Sequence, residues 1–225
     1  MTRKVILENV TMTSTLTGEE IKEKYGNGIV RIHCDGGSVS IKDCNFNQEC
    51  YNVIEIGYND GLGSLSNIDI ENCKFNAKLI NNAISIFNLG ENAVINIKNC
   101  YFKDVSNCLR ISNENYSKNV TINIENCIVD NWASNTRYAG LLCMQDYTSS
   151  SMKESFEKLA FGPHMKINFK NLKYQGTKLT GNLDDLISHF NKKKTQLAYM
   201  YISNFLEHDV TYINNKIYFP TITLS

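Results

Sequence analysis

Ile68-Asp-Ile-Glu-Asn-Cys-Lys-Phe75 is preceded by Val39-Ser-Ile-Lys-Asp-Cys-Asn-Phe46 and followed by Ile95-Asn-Ile-Lys-Asn-Cys-Tyr-Phe102 and Ile122-Asn-Ile-Glu-Asn-Cys-Ile-Val129. The four copies begin at 39, 68, 95 and 122, so the steps are 29, 27 and 27 residues. Weaker copies extend the series in both directions, Val5-Ile-Leu-Glu-Asn-Val-Thr-Met12 and Ile167-Asn-Phe-Lys-Asn-Leu-Lys-Tyr174, which makes six. Within each copy apolar and polar residues alternate and β-branched types dominate, the period of a strand with one buried face. Each unit then carries a second short apolar segment: Ile29 to Ile32, Val53 to Ile56, Ala83 to Ile86, Cys108 to Ile111 and Leu141 to Met144. Short strands recurring at a fixed period, joined by Asn-, Gly- and Asp-rich corners, specify a solenoid. A leucine-rich repeat needs a Leu-x-x-Leu-x-Leu phrase and a helix or turn leg, which these units lack.

Stacking sets equivalent residues about 4.8 Å apart in columns, and each column makes chemical sense. The outward column Glu8, Lys42, Glu71, Lys98, Glu125, Lys170 alternates in sign throughout, as cross-strand pairing favours. The column Asn9, Asp43, Asn72, Asn99, Asn126, Asn171 falls where the chain bends, and these types tolerate left-handed backbone. Val10, Cys44, Cys73, Cys100, Cys127 and Leu172 mark a small buried apolar slot, and Met12, Phe46, Phe75, Phe102, Val129 and Tyr174 an aromatic-rich stack.

The expectation is therefore one all-β domain. Residues 1–180 form a parallel β-helix of about six rungs with insertions at 14–27 and 145–163, and residues 181–225 form a C-terminal cap or assembly segment. Thr17 and Glu20 stand at capping-box spacing at the head of a short helix, a Ser cluster opens a second over Ser149 to Leu159, and Asn182 to Phe190 reads as a third. Leu197 to Phe205 and Val210 to Leu224 are β-rich.

Twenty-three basic residues balance twenty-three acidic ones, and no basic stretch beyond Lys192 to Lys194 appears, which argues against a nucleic-acid footprint. Glu8 and Asn9 interrupt the first apolar run before a signal-peptide core forms, and no run of about 18 apolar residues spans a membrane. The eight cysteines contain no Cys-x-x-Cys pair and fall mostly within strand patterns, so free core thiols are expected rather than disulfides or zinc ligands. Four scattered histidines add no ligand spacing; neither metal nor cofactor is expected.

The repeated phrase resembles the coils of the pectate-lyase-like right-handed parallel β-helix superfamily over roughly residues 4–180. That superfamily includes polysaccharide lyases and hydrolases, bacteriophage tailspikes, virion fibre and decoration proteins, and adhesins, so the resemblance carries the fold and leaves the activity open. The Asn-, Ile- and Lys-rich composition, with two prolines, resembles a structural protein of an AT-rich phage. The resemblance implies a virion component made in the host cytoplasm, a capsid decoration, fibre or tail protein, homo-oligomeric with a trimer favoured. Other virion proteins and a glycan are the expected partners.

The alternative is a carbohydrate-active β-helix enzyme, whose first candidates are Glu55, Asp35, Asp60 and Arg110. Paired carboxylates carry glycosidase chemistry, yet the second strand's outward column, Arg31, Glu55, Ser85, Arg110, holds one acid among mixed neighbours. Arg31 beside Glu55 reads most simply as an interstrand ion pair. Asp35-Gly-Gly37 and Asn59-Asp-Gly61 are turn signatures. For ligand contact, Trp132, Arg137 and Tyr138 share one loop, and Tyr51 and Tyr58 lie on an earlier corner; these types suit sugar stacking and binding hot spots. The competing reading of Trp132 is a ring folded over its own rung.

Overall fold

The computed structural model describes residues 3–14, 16, 20, 28–32, 36–47, 52–57, 65–76, 82–87, 89–105, 107–112, 119–130, 140–146, 165–178, 196–202 and 221–224. Its elements are strands: β1 (Lys4–Glu8), β2 (Thr11–Thr13), β3 (Gly28–Ile32), β4 (Gly37–Lys42), β5 (Asn45–Asn47), β6 (Asn52–Ile56), β7 (Leu65–Glu71), β8 (Lys74–Asn76), β9 (Asn82–Phe87) and β10 (Leu89–Lys98). They continue as β11 (Tyr101–Lys103), β12 (Asn107–Ser112), β13 (Val120–Glu125), β14 (Ile128–Val129), β15 (Gly140–Asp146), β16 (Met165–Lys170), β17 (Lys173–Tyr174), β18 (Thr177–Lys178), β19 (Gln196–Ile202) and β20 (Thr221–Leu224).

The strands form three sheets, and the chain visits them in rotation. Sheet A has the order β1-β4-β7-β10-β13-β16-β20, sheet B runs β18-β17-β14-β11-β8-β5-β2, and sheet C runs β19-β15-β12-β9-β6-β3. Every pairing is parallel except β17 with β18. The register follows the sequence columns: Glu8 pairs with Lys42, Lys42 with Glu71, Glu71 with Lys98, Lys98 with Glu125, and Glu125 with Lys170.

The bend between sheets A and B is made by one residue. Asn9, Asp43, Asn72, Asn99, Asn126 and Asn171 all have φ between 49° and 56°, a left-handed conformation that costs most other residues roughly 1–2 kcal/mol. The following cysteine turns inward, so Cys44, Cys73, Cys100 and Cys127 are buried and free. Phe75 stacks on Phe46 at 5.3 Å and on Phe102 at 5.2 Å. Side chains of all three sheets meet in one core, Ile41 and Ile70 from sheet A, Phe46 and Phe75 from sheet B, Ile54 and Ile84 from sheet C.

The C-terminal β-rich segments add parallel strands, β19 on β15 and β20 on β16. The three helical expectations fall outside the described residues, Glu20 excepted, and so do Asp35, Tyr51, Tyr58, Asp60, Trp132, Arg137 and Tyr138.

Candidate functional site

Sheet A shows the alternation of a sheet with one wet face: along β13, Val120, Ile122 and Ile124 are buried and the residues between them are half-buried. Sheet C does not, because every residue of β6 and β9 is buried. The six buried polar or charged side chains among the described residues, Asn52, Glu55, Asn82, Ser85, Asn107 and Arg110, all lie on this sheet. Concentration of desolvated polar groups on one face singles it out, since burial of such groups is costly unless they are bonded.

They form two rows. Asn52, Asn82 and Asn107 are in register, and Glu55, Ser85 and Arg110 follow three residues later, also in register. Residues three apart in an even strand point to opposite faces. Here the ladder pairs Asn52 with Asn82 and resumes at Ile54 with Ile84, while Val53, Ala83 and Cys108 join the core. The break in phase lets both polar rows face the same way.

Hydrogen bonds link the rows. Asn107 Nδ2 donates to Asn82 Oδ1 at 2.8 Å, Asn82 Nδ2 to Asn52 Oδ1 at 2.9 Å, and Asn52 Nδ2 to Glu55 Oε2 at 3.1 Å. Ser85 Oγ also donates to Asn52 Oδ1, at 2.7 Å. The chain of amides thus ends on the Glu55 carboxyl, which is 8% exposed and whose other oxygen lies 3.9 Å from Arg31 Nε. Two strands further on, the Arg110 guanidinium sits 5.3 Å from the centre of the Phe87 ring, within cation–π reach. Phe87 is buried yet stands apart from the main core. Gly57 is required beside it: its φ is +87°, and a Cβ there would collide with the Phe87 carbonyl oxygen.

Of the sequence candidates, Glu55 and Arg110 share this face, separated by Ser85. Strand spacing sets their backbones about 9–10 Å apart. Asp35, Asp60 and the five proposed ligand-contact residues are outside the described set. The row missing from the sequence reading is Asn52, Asn82 and Asn107; the signal for it is an Asn three residues ahead of Glu55, Ser85 and Arg110 in successive units. A single described carboxyl supplies half of the pair a glycosidase uses.

Elsewhere polar groups are likewise engaged along the stack. On sheet A, Asn96 donates to Asp69, Asn123 to Asn96 and Asn168 to Asn123, each at 2.8 Å. At the corner, Asn72 donates to Asp43 (2.9 Å), Asn99 to Asn72 (3.1 Å), Asn126 to Asn99 (3.2 Å) and Asn171 to Asn126 (2.8 Å). Glu125 lies 2.8 Å from Lys170 and 4.0 Å from Lys98, and Lys42 lies 3.2 Å from Glu71. Two stacked amide oxygens on sheet B, Asn47 Oδ1 and Asn76 Oδ1, are buried without a hydrogen-bond partner.

The buried thiols do not titrate alike: the hydrogen bond with Cys100 lowers Cys73, against the opposing effect of burial, while all the free cysteines among the described residues, Cys73 included, stay out of contact with water. Burial pushes Cys108 well above its ordinary value. Cys100 rises through its hydrogen bonds with the thiols of Cys127 and Cys73 and through burial, whereas reactive cysteines require a lowered value. Among the described residues no group of three or more His, Cys, Asp or Glu is arranged to hold a metal, and no helix is long and apolar enough to cross a membrane. Comparison with family models, with curated proteins and with solved structures finds no match.

Proposed function

We propose that the three sheets close around their common core as a right-handed parallel β-helix of about six coils, and that the chain is a non-catalytic structural or adhesive element of a bacteriophage particle, a capsid decoration, fibre or tail protein. The observation that carries the non-catalytic reading is the engagement of polar side chains by one another. The Asn rows and the Lys/Glu column tie coil to coil, which is the use a rigid spacer makes of its surface. The particle is inferred from the resemblance of the repeat to phage β-helix proteins and from composition.

A carbohydrate-active enzyme is the second reading, favoured by one observation: Glu55, Arg110 and Phe87 are gathered on a buried polar face. The experiment is incubation of the full chain with a panel of acidic and neutral polysaccharides, followed by assay of new reducing ends and unsaturated uronates. No turnover is expected. Turnover abolished by Glu55→Gln or Arg110→Ala, with far-UV circular dichroism unchanged, overturns the structural reading. Mass spectrometry of purified particles tests the location, and a chain confined to the soluble fraction of the lysate refutes it.

A further inference from the structure

The two ends of the stack are finished differently. At one end sheet B closes on β18, which turns back antiparallel on β17 and places Lys178 opposite Lys173; short edges bearing lysine discourage further pairing. At the other end β1 is the last strand of sheet A, and among the described residues nothing pairs with its outer edge. Its core-facing Val5 and Leu7 are only partly buried, whereas their register partners Val39 and Ile41 are 1% and 0% exposed. Ile6, on the outer face, is 58% exposed, the one large apolar side chain so exposed among the described residues. It heads a column that continues as Ser40, Asp69, Asn96, Asn123 and Asn168.

The hydrogen-bonding phase of this edge follows from its inner side. Asn9 N–H donates to the Lys42 carbonyl at 3.1 Å, and Ser38 N–H donates to the Arg3 carbonyl at 3.0 Å. Backbone groups alternate in direction along a strand, so the odd residues of β1 face β4. The N–H and C=O of Lys4, Ile6 and Glu8 face the open edge.

We propose that this edge pairs with β1 of a second copy, antiparallel, about a two-fold axis through Ile6. In that register Lys4 stands opposite the partner's Glu8, Glu8 opposite the partner's Lys4, and Ile6 against its symmetry mate. These are the residues whose backbone groups face outward, and an antiparallel pair exchanges both bonds at alternate residues. The charges are complementary at both ends, which favours cross-strand neighbours. Parallel pairing of β1 on β1 sets Glu8 beside Glu8 and Lys4 beside Lys4 and turns the core face of one sheet to the side of the other's outer face, whereas the antiparallel two-fold keeps both outer faces on one side. The dimer covers Ile6 and removes an exposed sheet edge. Glu8, which has Lys42 on its inner side, gains a lysine on its outer side, as Glu125 has in the middle of the column.

This inference rests on the reading of the chain as an assembling structural element and names one of its interfaces. The test is the solution mass of the full chain by light scattering at up to about 100 μM. The expected mass is twice the 25.6 kDa of one chain. Ile6→Lys places two like charges on the axis and returns the mass to a single chain. Lys4→Glu and Glu8→Lys each weaken association about tenfold or more. Mixed together, those two variants re-form a dimer, because all four facing charges are then complementary, and circular dichroism verifies that each is folded. A wild-type mass of one chain or of three, or a dimer indifferent to Ile6→Lys, or no recovery on mixing, overturns the proposal. Failure here with no polysaccharide turnover leaves the structural reading standing; turnover refutes that reading even where the dimer forms.

Discussion

Replacing Phe75 by alanine removes a fully buried ring that has a neighbour on each side, Phe46 at 5.3 Å and 19° and Phe102 at 5.2 Å and 8°. A buried Phe→Ala change costs about 3–5 kcal/mol through lost transfer energy and a residual cavity. The parallel strands on either side, β5 and β11, are held at strand spacing, so collapse into the cavity is restricted and the upper end, about 5 kcal/mol, is expected. Phe75→Leu keeps most of the volume and loses both ring contacts, at about 0.5–1.5 kcal/mol each, for a total of about 1–3 kcal/mol. Equilibrium urea denaturation followed by far-UV circular dichroism measures both.

The linear architecture adds a second signature. Within each sheet a strand pairs only with its neighbours, so a defect in a middle layer weakens the coupling between the two halves. Phe75→Ala is therefore expected to lower the denaturant slope or split the transition, where Phe75→Leu shifts the midpoint alone. A cost below about 2 kcal/mol for alanine, or equal costs for the two variants, refutes the claim that stacked rings carry the middle of the core.

Asn99 has φ 54° and makes two amide contacts, donating to Asn72 and accepting from Asn126. Asn99→Ala is expected to cost about 2–3 kcal/mol and Asn99→Gly about 1 kcal/mol, because glycine loses the ladder but tolerates the backbone; equal melting temperatures for the two refute the corner argument. Stability is also expected to form a plateau in pH. The hydrogen bond from Lys170, then the charges of Lys170 and Lys98, hold Glu125 below the ordinary carboxylate value. Its contribution is present above that ordinary value and lost as pH falls through the folded one. Glu71, by hydrogen bond and charge, raises Lys42 above the ordinary lysine value, so that contribution is present below it and lost as pH rises through the folded value. Both groups lie on the wet face of sheet A and are partly open to water, so the losses are small and shrink with added salt. Urea midpoints measured across pH at two ionic strengths check this, and stability that rises on acidification into the carboxylate range refutes it.

Sheets A and B were legible because each of their columns repeats one chemistry. Ile-x-Ile sets the buried parity, Lys or Glu the outer column, Asn the left-handed bend and Cys the inward slot; all were visible and all recur in register. Sheet C was legible only in part. Its strands carry consecutive core residues, Val53 with Ile54 and Ala83 with Ile84, and this breaks the period of two on which strand reading depends. The Asn row therefore sits out of phase with the Glu55 column, behind connections of unequal length. Burial of that column was also hidden, since local alternation cannot report whether an outward face is covered. Glu55 and Arg31 were placed together correctly as neighbours.

The amide ladders share a direction, which the Asn119–Asn92 pair follows as well, and three of them end on an acid. A carboxylate can only accept hydrogen bonds, whereas an Asn side chain donates and accepts. At the corner the ladder ends on Asp43, on the outer face of sheet A it ends on Asp69, and on sheet C it ends on Glu55. Asn72, Asn96 and Asn52 must therefore present Nδ2 to those acids and keep Oδ1 for the next donor, and each amide after them follows suit. In these three ladders the side chain later in sequence donates to the one before it. The side-chain dipoles consequently add along the stack instead of cancelling, and one acid per ladder selects one of two otherwise equivalent amide orientations. Chains of aligned hydrogen bonds polarise one another, so this arrangement favours a stack without slips in register. Such uniformity suits a spacer whose length matters, and it leaves sheet C, where the ladder runs beside Arg110 and Phe87, as the place where a departure from pure scaffolding is to be sought.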